Sequence, residues 1–366
     1  MDESRVRYAV DPDIAAASTL EARFYSDAEA YQALGERVFA RTWQWLGDCG
    51  DVRAPGTLSP RALRSGPLDE PLLLARDALG TLRCLSNVCT HRGNILVHEA
   101  CAAKEIRGGY HSRRFDLGGR MTFMPEFQDA KDFPTAADNL PEVPFGEWAG
   151  HGFASVDPVA PLGAFLGDVA SRMAGVPVAD FRFDPSRNRD FEVGANWALY
   201  VENYLEGFHI PFVHKGLNDV VDYGSYSSEL FRFANLQLAL AKDGEAAFDL
   251  PASSPDHGQR IAAYYFWVFP NLMLNFYPWG LSVNLVRPLA IDATRVSFRS
   301  YVWDASKLGS GAGASLDRVE EEDEAIVLAV SRGVRSRYYA RGRYSPTRER
   351  GVHHFHRLLC EFLGGE

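Results

Sequence analysis

The spacing of apolar residues along the chain predicts a helical beginning followed by a block of short strands. Before Thr42 the apolar residues recur at helical intervals, so we expect this segment to be helical. From Trp43 to about Pro158 the apolar runs are short and are interrupted by glycine and proline. Two of them, Leu72–Ala75 and Leu82–Val88, flank a turn in the pattern of a β-hairpin. We therefore predict one small β domain in this region.

The remainder of the chain has a mixed pattern. Leu162–Met173 and Asn196–Phe208 show helical spacing, and Leu316–Gly333 has the pattern of a long helix that runs from acidic to basic residues. The predicted strands, which are rich in aromatic and branched residues, are Arg182–Gly194, Tyr264–Leu274, Leu281–Leu289 and Thr294–Asp304. This mixture indicates an α+β protein.

Composition and charge narrow the class of protein. The 366 residues suffice for about two domains. Lys and Arg total 38 against 48 Asp and Glu, a formal charge of −10, which argues against binding to a phosphate backbone. Five cysteines are too few and too scattered for a disulfide framework. The N-terminus lacks the apolar core of a signal peptide, and the most apolar window, Ala262–Val286, is interrupted by polar residues, proline and glycine. We expect a cytoplasmic protein that binds neither nucleic acid nor membrane.

A first group of metal-binding residue types lies in the predicted β domain. Cys89 and His91 stand two residues apart just after a predicted strand, and His111 follows in a second loop. An iron–sulfur centre with mixed ligation needs two thiolates on one iron and two imidazoles on the other. A second loop of this kind would read Cys-x-x-His, but position 108 is glycine. The two loops therefore offer one thiol and two imidazoles, one thiol fewer than such a centre needs.

A second group lies at the end of the predicted helix Asn196–Phe208. Glu206 and His209 are three residues apart, which makes them neighbours on one helix face. His209 and His214 are five apart, which on a regular helix places them ~140° apart. We predict that Pro211 ends or deforms the helix between them, so that both imidazoles reach one metal. Two imidazoles and one carboxylate with open positions form the facial triad of non-haem Fe(II) oxygenases.

These segments resemble a known family. The run Cys89–Gly93 (CTHRG) and the run Gly108–Arg120 (GGYHSRRFDLGGR) are similar to the Rieske domain of ring-hydroxylating oxygenase large subunits and their choline-monooxygenase-like relatives. The likeness extends from Trp43 to the tail. It implies an α+β fold in which a small β-sandwich Rieske-type domain, 43–158, is inserted in an antiparallel-sheet helix-grip catalytic domain formed by 1–42 and 159–366.

The resemblance also implies ligands and roles. The implied ligands of a [2Fe–2S] cluster are Cys89, His91 and His111, those of a mononuclear Fe(II) are His209, His214 and Asp323, and the implied substrate-binding residues are Phe208, Phe269, Asn275 and Tyr277. Glu322 is the alternative to Asp323. Glu206 would link the two centres across a subunit boundary, and Asn203 would line the iron site. For Glu320, Glu321 and Glu324 we expect only a solvated start of a helix, which the helix dipole favours.

The activity implied by the resemblance is an O2-dependent hydroxylation or demethylation of a small aromatic or quaternary ammonium substrate. Electrons would come from NAD(P)H through a reductase, either directly or through a ferredoxin, and the chain would form a homotrimer. Gly108 leaves three interpretations open: the chain has lost its cluster, the glycine is an introduced change, or Cys101 substitutes as a ligand. The alternative function is a cluster-deficient, non-redox binding module or inactive partner subunit.

Overall fold

The short apolar runs that begin near residue 43 form small sheets. The computed structural model describes residues 8–314 and 316–364, and residues Ala40–Arg64 and Leu68–Val159 form one unit, called here the inserted unit. Its strands are β1 (Gln44–Asp48), β2 (Thr57–Ser65), β3 (Leu68–Arg76), β4 (Leu82–Ser86), β5 (Cys101–Ala102), β6 (Ile106–Arg107), β7 (Arg114–Phe115), β8 (Met121–Phe123), β9 (Phe145–Trp148) and β10 (His151–Ala154). They form three sheets with the orders β1-β10-β9, β4-β3-β2-β5 and β6-β7-β8.

The predicted hairpin of the inserted unit is confirmed. β3 and β4 pair antiparallel, with Leu72 opposite Ser86. Leu73 and Leu85 pack in an apolar core, and Cys89 belongs to the same core at 6% exposure. The core therefore anchors the loop that begins at Cys89.

A large antiparallel sheet dominates the second unit, called here the main unit, which comprises Met1–Phe39, Ser65–Pro67 and Ala160–Glu366. Its strands are β11 (Arg182–Phe183), β12 (Arg189–Val193), β13 (Ser227–Leu230), β14 (Ala234–Leu240), β15 (Ile261–Val268), β16 (Leu272–Tyr277), β17 (Gly280–Ala290) and β18 (Ala293–Val302). The order is β11-β18-β17-β16-β15-β14-β13, and β12 also pairs with β18. Gln237, Tyr265 and Asn275 lie opposite one another across β14, β15 and β16, so they share one face of the sheet.

The helices of the main unit come from distant parts of the chain. They are α1 (Ala28–Leu34), α2 (Leu162–Arg172), α3 (Trp197–Tyr204), α4 (Ile210–Val213), α5 (Lys215–Val220), α6 (Leu316–Gly333) and α7 (Arg350–Gly364). The Asn196 side chain caps α3 by accepting a hydrogen bond from the backbone N–H of Ala198, a typical helix N-cap. The predicted helix Leu316–Gly333 is confirmed. Within the described ranges, every helix is too short or too polar to cross a bilayer.

The prediction that Pro211 interrupts a helix is wrong. The helix predicted for Asn196–Phe208 ends at Tyr204, and Pro211 lies in the first turn of the separate helix α4. Proline is favoured there because its fixed φ suits a helix and its missing N–H has no intrahelical partner in the first turn. Glu206 and His209 therefore do not share a helix face, and the loop between α3 and α4 separates the two histidines from the preceding helix.

Two predicted strands are each divided in the structure. Arg182–Gly194 contains β11 and β12 with the 3₁₀ turn Pro185–Arg187 between them. Tyr264–Leu274 contains the end of β15 and the start of β16. Proline occupies the break in both cases, Pro185 in the first and Pro270 in the second, because it cannot donate a ladder hydrogen bond.

Candidate metal centres

Two imidazoles and one carboxylate converge in the main unit. Nε2 of His209 lies 3.1 Å from Nε2 of His214, and Oδ1 of Asp323 lies 3.0 Å from the latter nitrogen and 3.6 Å from the former. All three ligand atoms lie within 4.8 Å of one another, and in the described part of the chain no other three His, Cys, Asp or Glu side chains meet so closely. Ligands bound about 2.1 Å from one ion at right angles stand ~3 Å apart. The spacing therefore suits the facial triad of a non-haem iron.

The three ligands come from two separated elements. His209 precedes α4 as its N-cap and His214 follows it, so the single turn of helix brings the two rings together, with their planes at 75°. Asp323 lies on α6, more than one hundred residues later. The amide of Asn203, on α3, donates to Oδ1 of Asp323 at 2.6 Å. This contact holds the carboxylate oxygen that faces the histidines.

Carboxylates also hold the far side of both imidazoles. Nδ1 of His209 lies 2.6 Å from Oε1 of Glu206, and Nδ1 of His214 lies 2.8 Å from Oε2 of Glu322. Such partners place the proton on Nδ1 and leave Nε2 free for a metal. Burial lowers the pKa of His214, but the hydrogen bonds and charges of Asp323 and Glu322 outweigh it and raise that pKa above its ordinary value. Glu322, the predicted alternative iron ligand to Asp323, thus contacts Nδ1 of His214, the nitrogen that faces away from the metal site.

A cavity of about 100 Å³ borders the three ligand atoms. Asn275 and Tyr277, both predicted to bind substrate, line it together with Gln237. The aromatic residues that line it are Tyr200, Tyr204, Tyr226, Tyr265, Tyr277 and Phe298. The wall of the cavity is thus a set of ring faces and phenol groups.

Two residues predicted to bind substrate lie elsewhere. Phe208 is 41% exposed and packs edge-on against Phe212, because it lies in the loop after α3 rather than on a helix face. Phe269 is fully buried beside Trp267 and Phe362, where the turn after β15 directs it into the core. Neither lines the cavity among the residues described.

Sequence reasoning missed Glu320. The expectation of a solvated side chain is wrong, because Glu320 is 3% exposed and lines the cavity. The hydroxyl of Tyr200 donates to its Oε2, and burial raises its pKa from 4.5 to about 8. One signal was present in the sequence: Glu320 precedes Asp323 by three residues and Val327 by seven, which places all three on one side of α6.

The inserted unit holds a second, incomplete ligand group. Nδ1 of His91 lies 3.2 Å from Nδ1 of His111, and Cys89 is buried. A Cβ built on Gly108 would lie 3.7 Å from Sγ of Cys89, with the other nearest atoms, in Arg113 and Leu96, at 3.6 Å. Position 108 therefore faces the thiol and has room for a Cβ atom.

Cys101 differs from Cys89 in its environment. It is exposed and belongs to β5, where it pairs with Leu58 of β2. Strand pairing holds its backbone, so a move towards a buried thiol would break that ladder. This placement argues against Cys101 as a substitute ligand.

Comparisons with known proteins identify a family for each of two parts of the chain. The family description "Ring hydroxylating alpha subunit (catalytic domain)" matches residues 178–365, and "Rieske [2Fe-2S] domain" matches residues 42–134. The chloroplastic choline monooxygenase of Arabidopsis thaliana is 30% identical over 98% of this chain and 86% of its own length. The carnitine monooxygenase oxygenase subunit of Escherichia coli K12 is 28% identical over 94% of this chain and 93% of its own.

The chain belongs to the Rieske-type ring-hydroxylating oxygenases. Solved structures share the fold of this oxygenase. A quaternary ammonium Rieske monooxygenase, described with carnitine oxidation and inter-subunit electron transfer, superposes with a TM-score of 0.77 at 23% identity over 97% of this chain and 100% of that one. A naphthalene 1,2-dioxygenase with bound indole superposes with a TM-score of 0.72 at 18% identity, over 95% of this chain and 92% of that one. The predicted family and α+β fold class are confirmed.

Family membership implies a mononuclear iron and a [2Fe–2S] cluster in this oxygenase. The residues around His209 fit the iron, since three donor atoms converge beside a cavity. The residues around Cys89 do not complete the cluster site, because a Rieske centre needs a second thiolate and Gly108, which faces Sγ of Cys89, has no side chain.

Proposed function

We propose that the main unit binds one Fe(II) through His209, His214 and Asp323 and oxidises a small quaternary ammonium cation with O2. The observation that carries this proposal is the convergence of the three ligand atoms within 4.8 Å beside an aromatic-lined cavity. When bound, the iron supplies the activation of O2 that side chains cannot provide. The reaction is a hydroxylation or demethylation.

The residues around the iron site have distinct tasks in this proposal. Asn203 holds Oδ1 of Asp323 in place, and Glu206 and Glu322 fix the orientation of the imidazoles through Nδ1. Partners of this kind determine both the tautomer and the affinity of a metal site. The cavity would hold the substrate beside the open positions of the iron.

The substrate class is proposed from the cavity and from the relatives. Tyrosine faces attract quaternary ammonium groups through cation–π contact, and relatives of this chain are named for choline and carnitine. A small aromatic substrate would meet the same rings, but it would not use the carboxylates of the cavity wall.

We further propose that an NAD(P)H-dependent reductase, directly or through a ferredoxin, supplies electrons to a cytoplasmic homotrimer. In support, the carnitine relative is an oxygenase subunit, and a solved relative is described with inter-subunit electron transfer. We propose 43–158 as the Rieske-type domain and 1–42 with 159–366 as the iron domain.

Gly108 favours a second candidate function. A chain that lacks one cluster ligand has no complete [2Fe–2S] centre that could receive electrons from a reductase and pass them to the iron. The protein would then act as a non-redox binding module for the same cation, or as an inactive partner subunit.

Two assays on the full chain test the proposal and separate the candidates. Protein loaded anaerobically with Fe(II) receives choline with either O2, NADH and a surrogate reductase, or hydrogen peroxide, which supplies oxygen and both electrons together. Product measured by mass spectrometry in the peroxide arm is the expected result. Product in both arms supports the oxygenase, whereas product with peroxide alone supports a competent iron site in a chain that does not accept electrons.

His209→Ala should abolish iron binding and product in both arms, while the matched variant His98→Ala, an exposed histidine of the inserted unit, should retain both. Failure of the unmodified chain to bind Fe(II) would overturn the proposal.

A further inference from the structure

Glu320 is a buried carboxyl group without a full set of partners. Oε2 accepts the hydrogen bond of the Tyr200 hydroxyl, while Oε1 has no hydrogen-bond partner among the described residues. The side chain is 3% exposed and belongs to the wall of the cavity beside the three ligand atoms. A buried polar atom left unpaired is unfavourable, so its retention in a cavity wall needs an explanation.

The charge of the cavity wall supplies that explanation. Among the described residues, three carboxylates line it, those of Glu206, Glu320 and Asp323. Asp323 contacts the two histidines and Asn203, and Glu206 contacts His209. Of the described side chains that line the cavity, only Glu320 has a buried oxygen without a hydrogen-bond partner. Of the described residues that line the cavity, none is Lys or Arg. The unpartnered oxygen of Glu320 therefore has no Lys or Arg side chain beside it among the described residues of the cavity wall.

Burial disfavours the ionised form of this carboxyl group. Burial is the largest cause that raises the pKa of Glu320, and the nearby charges of Asp323 and Glu324 add to it. A positive charge inside the cavity would lower the pKa of Glu320 again, because it stabilises the ionised form of the carboxyl group. A neutral ligand of the same shape would leave the carboxyl as unfavourable as before.

We propose that Glu320 is the specificity-determining residue of this cavity: it selects small organic cations over neutral isosteres, and the cavity disfavours cations that carry their own carboxylate. The inference rests on the proposed function of the same site and refines its substrate class. The aromatic walls contact the apolar surface of an alkylammonium group, and Glu320 contributes the charge. A betaine-type carboxylate would lie beside Glu320, with no Lys or Arg among the described lining residues to pair with it, so like charges would oppose it.

The test is a binding measurement that needs no turnover. The full chain, loaded anaerobically with Fe(II), is titrated by calorimetry with three probes: choline, its neutral isostere 3,3-dimethylbutan-1-ol, and glycine betaine. We expect choline to bind about tenfold or more tightly than either of the others. Equal affinity of choline and the neutral isostere would overturn the proposal.

Glu320→Gln removes the charge and keeps the shape. It should weaken choline binding about tenfold and change the affinity of the neutral isostere by less than about twofold. The matched variant Glu321→Gln, at an exposed position of the same helix, should change neither. An equal loss of affinity for choline and for its neutral isostere would show that Glu320 has a structural role, and it would overturn the inference. If Glu320→Gln does not fold, the preference of the unmodified chain still decides.

The two proposals fail in different ways. Failure of the proposed function appears as a lack of Fe(II) binding or of oxidised product. Failure of this inference appears as an iron-loaded protein that binds its ligands without regard to their charge.

Discussion

Gly108 shows how one residue changes the chemistry of a familiar site. The backbone there hydrogen-bonds like an ordinary loop, with its N–H donating to the carbonyl of Arg113 at 2.8 Å and its carbonyl accepting from Ser112 at 3.1 Å. The site therefore retains its shape and lacks only a donor atom. Since a Cβ would fit at ordinary contact distances, the backbone at position 108 can carry a side chain that begins beside Sγ of Cys89.

Gly108→Cys should complete the ligand set of Cys89, His91 and His111. After anaerobic reconstitution we expect acid-labile sulfide and iron to rise to cluster stoichiometry, with a reduced Rieske-type electron paramagnetic resonance signal. Gly109→Cys is the matched control, because a Cβ there has only Asn94 nearby, at 4.0 Å. A full Rieske signal from the unmodified chain would contradict the assignment of Gly108 as the missing ligand.

Glu322 offers a second test at the scale of a single residue. Glu322→Gln should lower the Fe(II) affinity of the His214 site, because a neutral amide holds Nδ1 of the imidazole less firmly than a carboxylate. The loss of such a partner typically costs 10–100-fold in metal affinity, and we expect about tenfold. Competition with a chelator measures it. The control variant Glu321→Gln should bind iron normally. An equal loss of Fe(II) affinity in both variants would refute the role of the contact between Glu322 and Nδ1 of His214.

At the scale of elements, the loop between α3 and α4 determines where His209 lies. Gly207 packs so closely on Tyr226 that a Cβ would lie 2.5 Å from the ring. Tyr226 in turn lines the cavity and donates to Gln237 at 3.3 Å. The absence of a side chain at residue 207 thus allows the loop to approach the sheet and to deliver His209 to the metal site.

Gly207→Ala should therefore displace the loop. We expect a loss of about 1–3 kcal/mol in the free energy of unfolding, which is typical of overpacking, together with weaker Fe(II) binding. Gly216→Ala is the control, since a Cβ in α5 meets nothing within 4 Å and alanine favours a helix. Denaturant unfolding measures the free energy of unfolding, and iron titration measures the Fe(II) affinity. Unchanged iron affinity in Gly207→Ala would show that the loop does not position His209.

At the scale of the whole molecule, the iron site exists only because remote segments meet. Asn203 and Asp323 are 120 residues apart in the chain and 2.6 Å apart in space, and the sheet face with Gln237, Tyr265 and Asn275 closes the cavity. Such an arrangement places the buried carboxyl group of Glu320 near the charge of Asp323, so the stability of the main unit depends on the protonation of Glu320.

The raised pKa of Glu320 predicts a pH dependence of stability. Its pKa is about 8 in the folded chain against an ordinary 4.5, so between these values unfolding releases a proton. Stability should fall as pH rises through this window, by up to about 1.4 kcal/mol per pH unit from this group, and the decline should cease above the folded pKa. Unfolding of metal-free protein at several pH values measures it. Glu320→Gln should flatten the profile, and an unchanged slope would contradict the burial argument.

Much of this protein could be predicted from its sequence because the information is local. The Leu72–Ser86 hairpin and the helix Leu316–Gly333 follow from residue spacing. The choice of Asp323 as partner of His209 and His214 came from a resemblance, and the structure brings the three together.

Only the tertiary structure decided which residues face the cavity and which are buried. It moved the helix end from Phe208 to Tyr204, buried Glu320 against Tyr200, and sent Phe269 into the core. It also showed that Gly108 faces Cys89. Spacing records the periodicity of one element, whereas burial and side-chain direction depend on the elements packed against it, and those come from distant parts of the chain.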